Sequence, residues 1–298
     1  MTKTMLPEHP KYSIIMGNEL FGDNFSEKEL KEWFDIEAEG FSALESNAKA
    51  SKEDPWYAYN RYINEKYVWD VIDREFGSIQ CISLLVLGPG SGEELETYIH
   101  AHSNVRLRLI EPSAYFRRIL AEKFPKAIIE SGLSNGVSVL DKLEHDAIVA
   151  LQVFHHVANV SKTIHDLSIQ LKKGGLLISR EPCSSMGLWA ERGKYLDRAT
   201  PNERGIPKQI MIKAALREGL QLYSSAYPLP ICLDPLNKLI LKMHLYPVIN
   251  NKIIYLLDRV LGGCLKFNDY YWRDRWWKKL GPSTYHYIFK RSSLDEGV

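Results

Sequence analysis

One short segment constrains the fold of this chain more than any other. Residues 84–92 (LLVLGPGSG) are four apolar residues followed by a turn with glycine at three alternate positions. A continuous apolar run is typical of a buried parallel strand, and the residues after the turn have helical spacing. A second apolar run, 105–110, leads into Glu111. Glycine lets a ligand approach bare backbone, and an acid at the next strand end can bind a ribose, so the pattern predicts a nucleotide-type cofactor pocket.

The spacing of the glycines distinguishes among nucleotide cofactors. A dinucleotide fingerprint would place its third glycine where Glu93 stands, and a P-loop would need Lys followed by Ser or Thr. Gly88, Gly90 and Gly92 instead form G-x-G-x-G. This loop, together with the acid at position 111 and the segments 146–157 and 172–182, resembles the class I S-adenosylmethionine (SAM)-dependent methyltransferases. The resemblance covers about a third of the chain, residues 83–182.

The resemblance implies which residues bind the cofactor. The glycine loop would lie against it, Glu111 would bind its ribose, and residues 130–134 would lie near its adenine. The chain departs from the family pattern at Val86, where an acid is usual, and in the adenine segment, which has no Asp. The predicted cofactor-binding residues are Gly88, Pro89, Gly90, Gly92, Glu111, Pro112, Ser131 and Gln152.

Alternating strand and helix patterns predict an α/β fold with a doubly wound, mostly parallel sheet. The resemblance makes this a seven-stranded, Rossmann-like sheet with an antiparallel last strand. The predicted strands are 82–88, 105–111, 127–130, 146–152, 175–181, 220–227 and 284–290, and the helices are 93–102, 113–124, 160–172 and 208–218. Residues 1–75 are predicted to be an N-terminal helical region, with a capping box at Ser26 and Glu29, and residues 76–298 the methyltransferase domain.

The candidate catalytic residues follow the predicted fourth and fifth strands. Methyl transfer to a hydroxyl requires removal of its proton, and histidine titrates in the range suited to that base. His155 and His156 follow the fourth strand. Neighbouring side chains diverge, so one ring is expected to face the pocket, and the resemblance favours His156. Glu181 ends the fifth strand and would bind an acceptor hydroxyl, orient the histidine or pair with an arginine.

Two further residues are predicted to contact the acceptor. Glu203 and Arg204 lie in a loop that the fold would place at the pocket rim. A metal-assisted reaction would need clustered Asp or Asn ligands near the fourth and fifth strands, and the sequence has none there, so no metal is expected.

An insertion at about 233–281 precedes the last strand and carries an uneven charge. Residues 236–279 hold nine Lys or Arg against three Asp or Glu. Two apolar helical faces are predicted there, the second ending at Gly262-Gly263, and they are followed by a segment rich in Tyr, Trp and Lys. This composition suits peripheral membrane contact, a lipid-linked or anionic acceptor, or a lid packed on the core.

Composition limits the cellular compartment and the binding partners that are expected for this protein. The first ten residues lack the apolar stretch of a signal peptide and the four cysteines are scattered, so a cytoplasmic protein is expected. Nucleic acid is disfavoured as a partner because the net charge is only +1.

The sequence therefore predicts an O-directed, SAM-dependent methyltransferase acting on a sugar, lipid-linked glycan or other small molecule. Segments 180–182, 202–207 and 281–287 are similar to methyltransferases of bacterial surface-polysaccharide synthesis. Three alternatives stay open: an enzyme acting on a quinone-like lipid or other metabolite, an aminopropyl transferase, which would need a paired Asp site, and a non-catalytic SAM-binding protein.

Overall fold

The strands of this protein form one twisted sheet with helices on both faces. The structure is a computed structural model, and it describes residues 26–33, 35, 37, 61–132, 144–183, 205–223, 227–229, 252–271, 275–279, 281–282 and 284–292. The strands are β1 (Ile82–Leu87), β2 (Val105–Ile110), β3 (Ile128–Glu130), β4 (His145–Leu151), β5 (Leu171–Pro182), β6 (Leu220–Leu222), β7 (Tyr227–Leu229) and β8 (Thr284–Arg291).

The strand order confirms the predicted fold class. It is β3-β2-β1-β4-β5-β8-β6, with β7 also paired to β8. β1 to β5 pair in parallel, and β8 is antiparallel to each strand that it contacts. The chain order reverses between β1 and β4, and the crevice at such a switch point is where ligands bind in open α/β sheets.

The helices cover the sheet because β1 is apolar on both of its faces. Leu84 and Val86 belong to one buried cluster, while Leu85 and Leu87 belong to the other. Alternate side chains of a strand point to opposite faces, so a fully buried strand needs cover on both sides. The helices are α1 (Asp70–Phe76), α2 (Glu93–Ala101), α3 (Ala114–Lys123), α4 (Val160–Ser168), α5 (Lys208–Arg217) and α6 (Lys252–Leu265).

The structure corrects the predicted boundary between α4 and β5. The helix ends four residues before the predicted end at position 172, and β5 begins at Leu171 rather than at Gly175. Leu171 pairs with His145 and Leu176 with Ala147, so extra residues on β5 bulge between the two pairs. Such a bulge leaves no periodic pattern of apolar residues in the sequence, so the pattern did not predict it. Gly174 lies within it and has a φ of +77°.

The predicted sixth strand is divided in two. Leu222 pairs with Phe289, and Tyr227 pairs with His286. More residues lie between Leu222 and Tyr227 than between their partners Phe289 and His286 on β8. The pairing with β8 is therefore interrupted after β6 and resumes as β7. The last strand is antiparallel, as predicted.

The predicted capping box of the N-terminal helical region is present in the structure. The Ser26 amide donates to Oε2 of Glu29 at 2.8 Å, and the Glu29 amide donates to Oγ of Ser26 at 3.3 Å. The helix that follows buries Trp33 and, on the same face, Glu37. Residues 61–64 are also helical and continue through a π-helical turn, Glu65–Trp69, into α1.

The insertion contains a helix that is longer than predicted. α6 runs through Gly262 and Gly263 to Leu265, so the expectation that this glycine pair ends it is wrong. Glycine costs about 1 kcal/mol in a helix interior but does not forbid it, and Gly262 is buried. The apolar segment predicted at 236–245 lies outside the described residues. Within the described part of the chain, no helix is long and apolar enough to cross a membrane.

Candidate active site

The glycine loop leaves β1 at the switch point and forms a cradle of bare backbone. Gly88, Gly90 and Gly92 have φ values of +60°, +55° and +71°. The Gly88 amide donates to the Ile110 carbonyl at 2.8 Å, which extends the pairing of β1 with β2. The Gly92 amide donates to the Pro89 carbonyl at 2.9 Å and closes the turn. A nucleotide lying on this turn would contact backbone amides.

Two of these glycines serve different purposes. A Cβ atom on Gly88 would come within 2.7 Å of Cγ2 of Val153, so glycine there allows the loop after β4 to pack against the cradle. A Cβ atom on Gly90 would meet nothing within 4 Å, so its bare face is open. The residues present therefore fit a cofactor that lies against the open side of the cradle at Gly90.

Glu111 is tied to the cradle. Its Oε2 accepts the Gly90 amide at 3.0 Å, and its Oε1 accepts the Ser113 amide at 2.9 Å. Burial raises the pKa of the Glu111 carboxyl, while these two backbone hydrogen bonds act in the opposite direction. Each carboxylate oxygen keeps a second acceptor site, so the contacts leave room for a ribose hydroxyl, and the ribose-binding role of Glu111 stays a prediction. Pro112 follows it and is exposed; its carbonyl accepts Nη1 of Arg117 at 2.6 Å.

The remaining predicted cofactor residues lie at neighbouring strand ends. Ser131 follows β3, is exposed, and donates from Oγ to the Gly132 carbonyl at 3.1 Å. Gln152 follows β4 with a φ of +59°, and it is the one non-glycine residue in the described ranges with positive φ. Its amide donates to the Arg180 carbonyl at 2.7 Å. Such backbone conformations are costly and concentrate at functional sites.

The two histidines lie in a single 3₁₀ turn, Phe154–His156, directly after β4. The fully buried carboxylate of Glu181 lies against this turn. Its oxygens accept four hydrogen bonds, from the amides of Val153 (2.9 Å), Phe154 (2.9 Å) and His155 (3.2 Å) and from Nδ1 of His155 (2.8 Å). Of the three roles predicted for Glu181, orienting a histidine is the one that these contacts describe.

A second carboxylate contacts the other histidine. Nδ1 of His156 lies 2.9 Å from Oε2 of Glu37, and Nε1 of Trp33 donates to the His156 carbonyl at 2.7 Å. The expectation that the neighbouring rings diverge is wrong, because their centroids are 4.0 Å apart. The tight turn brings them together while a separate carboxylate holds each ring. The His155 side chain is 6% exposed and that of His156 is 19% exposed.

Glu37 and Trp33 were not predicted as site residues. The sequence did carry one signal: Glu37 lies one helical turn after Trp33, so a charged residue occupies the apolar face of the predicted helix. A carboxylate on a buried face needs a partner, but the sequence does not say which residue supplies it.

Arg180 also has partners that the sequence did not reveal. Its Nη1 donates to Oδ1 of Asn64 at 2.7 Å, and its Nη2 lies 3.6 Å from Oε1 of Glu94. Asn64 in turn donates from Nδ2 to Oε2 of Glu94 at 2.7 Å. This buried network connects the helix that precedes α1 with α2, which starts at the glycine loop.

The other predictions for the site have different outcomes. Glu203 and Arg204, the predicted acceptor contacts, lie outside the described residues. Across the described ranges, no group of three or more His, Cys, Asp or Glu side chains is arranged to hold a metal ion.

A mostly parallel sheet of this strand order, with a glycine cradle after β1 and an acid after β2, defines the class I methyltransferase type of α/β protein. The chain belongs to the family described as "Methyltransferase domain", whose model matches residues 59–223, more than half of its length. Family membership confirms SAM as the cofactor expected from the sequence. A search of curated protein sequences found no match.

The solved structures similar to this chain include two of comparable size. The plantazolicin methyltransferase BpumL, solved with a triazolic desmethylPZN analog and SAH, has 13% identity and a TM-score of 0.51, covering 90% of this chain and 100% of its own. A Galdieria sulphuraria protein assigned as a sarcosine dimethylglycine methyltransferase has 13% identity and a TM-score of 0.50, covering 76% of this chain and 84% of its own. At this level of identity the similarity confirms the fold.

Proposed function

We propose that this protein transfers the methyl group of SAM to a hydroxyl of a small-molecule acceptor. The observation that carries the proposal is the position of the histidine turn. Val153 contacts Gly88 of the cofactor cradle, and His155 and His156 follow within three residues, each bonded to a buried carboxylate. This arrangement supports a role for one of the two histidines as the base beside a methyl donor bound on the glycine cradle.

The chain's own residues would perform three tasks in this reaction. When bound, SAM supplies a methyl group activated by sulfonium. The glycine cradle and Glu111 hold the cofactor, and the switch-point crevice aligns the acceptor oxygen with the methyl carbon. His156 would accept the hydroxyl proton as the methyl group passes from sulfur to the acceptor oxygen, and the products would be a methyl ether and S-adenosylhomocysteine. The proton then passes from the imidazolium to solvent.

The acceptor is proposed to be a sugar, a lipid-linked glycan or another small molecule. Support comes from the near-neutral net charge of +1, which does not favour a polyanion, and from BpumL, which was solved with a triazolic desmethylPZN analog rather than a nucleic acid. Glu203 and Arg204 remain the proposed acceptor contacts. A quinone-like lipid or other metabolite is the second candidate acceptor.

We also propose that α6 contacts a membrane surface while the protein is otherwise cytoplasmic. Leu256, Leu257, Val260 and Leu261 are 44% to 61% exposed. These four positions fall on one side of the helix, and the exposed basic residues Arg259 and Lys266 lie seven positions apart on a neighbouring side. An apolar helix face next to exposed basic residues is typical of helices that bind an anionic lipid surface, where a lipid-linked acceptor would be found.

The test of the activity has two stages. Titration calorimetry of the full chain with SAM measures cofactor binding, and the absence of both heat and a thermal shift at millimolar SAM would overturn the cofactor assignment. Release of S-adenosylhomocysteine is then followed with sugars, lipid-linked glycans and quinols as acceptors. SAM binding without turnover on any class would favour a non-catalytic SAM-binding protein.

A further inference from the structure

We propose that Glu37, on the N-terminal helix, is a positioning residue that holds His156 in the tautomer required of a base. The proposal rests on the proposed function and extends it, because it makes a helix that precedes the sheet in the sequence part of the active site. The two residues are separated by 119 positions in the sequence, and Oε2 of Glu37 lies 2.9 Å from Nδ1 of His156.

The burial of Glu37 is the first argument. The residue is 3% exposed, and a carboxylate withdrawn from water is costly unless hydrogen bonds compensate for the lost hydration. A helix that needed only to pack on the sheet would be more stable with an apolar residue at this position. A buried acid bonded to a histidine of the site therefore indicates a functional constraint.

The second argument is that the helix holds His156 at two points. Trp33, one helical turn before Glu37, is 2% exposed and donates from Nε1 to the His156 carbonyl at 2.7 Å. The helix thus contacts both the backbone and the ring of the same residue. Two contacts on adjacent helical turns fix where the ring lies and how it is rotated.

The chemical consequence follows from the ring nitrogens. A carboxylate at Nδ1 accepts a hydrogen bond from that nitrogen, so the proton resides on Nδ1 and the basic lone pair on Nε2. The negative charge also stabilises the imidazolium formed when the ring takes the acceptor proton. Glu181 acts on His155 in the same way, but the side chain of His155 is 6% exposed, whereas 19% of that of His156 remains exposed.

Among the described residues, the charged and titratable groups that contact His156 include Glu37 from the N-terminal helix and the His155 ring within the turn, which itself is bonded to Glu181. Replacing Glu37 by Gln removes one negative charge and keeps a side chain of similar size. The Gln amide can turn its NH₂ group toward Nδ1 in place of an oxygen, so the ring is no longer restricted to the tautomer that carries its proton on Nδ1.

The test compares Glu37→Gln with Glu32→Gln, a substitution on the same helix at a glutamate whose side chain is 57% exposed. We expect E37Q to lower kcat at least about 100-fold with the Kd for SAM within about twofold of wild type, because such bases contribute about 10²–10⁴-fold. E32Q should match wild type. Equal kcat in the two variants would overturn the proposal.

A measurement that does not depend on turnover separates this proposal from the proposed function. Nitrogen-15 NMR of the wild-type protein, with histidine signals assigned by His156→Gln, reports which ring nitrogen carries the proton. A proton on Nδ1 that is lost or redistributed in E37Q supports the positioning role even if no acceptor is methylated. A proton on Nε2 in the wild type overturns it even if the enzyme is active.

Discussion

The carboxylate of Glu181 lies 2.8 Å from Nδ1 of His155 and also accepts the amide of the same residue at 3.2 Å. The end of β5 therefore holds both the backbone and the ring of a residue in the turn that follows β4. With Val153 and Phe154 also donating to it, this buried carboxylate acts as the anchor of the turn. Val153, directly before the turn, also lies against Gly88, so the anchor connects the turn with the glycine cradle.

Glu181→Gln is predicted to destabilise the protein. The amide offers one acceptor oxygen in place of two, so donors now bonded to the carboxylate lose their partner, and each such loss costs about 1–3 kcal/mol. We expect urea unfolding to show a loss of about 3 kcal/mol in the free energy of unfolding. The control is Glu122→Gln, at an exposed position. Unchanged stability with lost turnover would assign Glu181 to the acceptor instead.

Gly90→Arg is predicted to abolish SAM binding in a folded protein. The side chain would occupy the open face of the cradle, and the positive φ costs about 1–2 kcal/mol for a residue with a Cβ. Gly219→Arg is the matched control, because Gly219 also has a positive φ and an open Cβ direction but precedes β6, an edge strand of the sheet, whereas Gly90 follows the interior strand β1. Calorimetry should show binding by G219R alone, with similar melting temperatures. SAM binding by G90R would show that the cradle is not part of the cofactor site.

Two buried histidines are predicted to make the fold sensitive to acid. Burial, with the Arg180 guanidinium, lowers the pKa of His286 to about 3, and burial with Arg108 lowers the pKa of His145 to about 4. Below pH 6.5 the unfolded imidazoles gain protons that the folded ones do not. Stability therefore falls as the pH drops from about 6.5 toward 4, by about 1.4 kcal/mol per pH unit for each histidine.

His286→Gln tests this, since Gln can still donate to the Tyr67 carbonyl that Nε2 of His286 contacts at 3.0 Å. Chemical unfolding at several pH values should show a shallower slope between pH 6 and 4 in the variant than in wild type. Substitution of the exposed His100 by Gln should leave the slope unchanged. Identical slopes in all three proteins would show that burial of His286 does not control the acid response.

Leu257→Glu is predicted to weaken binding to anionic vesicles. Leu257 is 55% exposed on the apolar face of α6, and a charge there opposes insertion at the lipid interface. Leu216→Glu is the control, on α5 at 53% exposure. Co-sedimentation with phosphatidylglycerol-containing vesicles should be salt-sensitive for wild type and L216E and reduced at least about fivefold for L257E. Equal binding by both variants would favour a lid over a membrane contact.

Much of the fold was predictable because it depends on local patterns. The apolar runs of β1 and β2 specify buried strands, the glycine spacing of 88, 90 and 92 specifies the turn, and Glu111 follows from its place at a strand end. The position of His155 and His156 after β4 follows from the same logic. Where periodicity is absent, as in the bulge at the start of β5 and the break between β6 and β7, the predicted boundaries were wrong.

By itself, the sequence determined the sheet, the cofactor cradle and the type of residue beside it, because hydrophobic period, glycine spacing and strand ends are properties of neighbouring residues. Only the tertiary structure decided which partners those residues have. Glu181 and His155 are 26 positions apart in the sequence, and Glu37 and His156 are 119 positions apart. The sequence alone is compatible with many other pairings of acids with histidines. Packing selects one pairing, since a buried carboxylate is stable only where the fold brings donors to it.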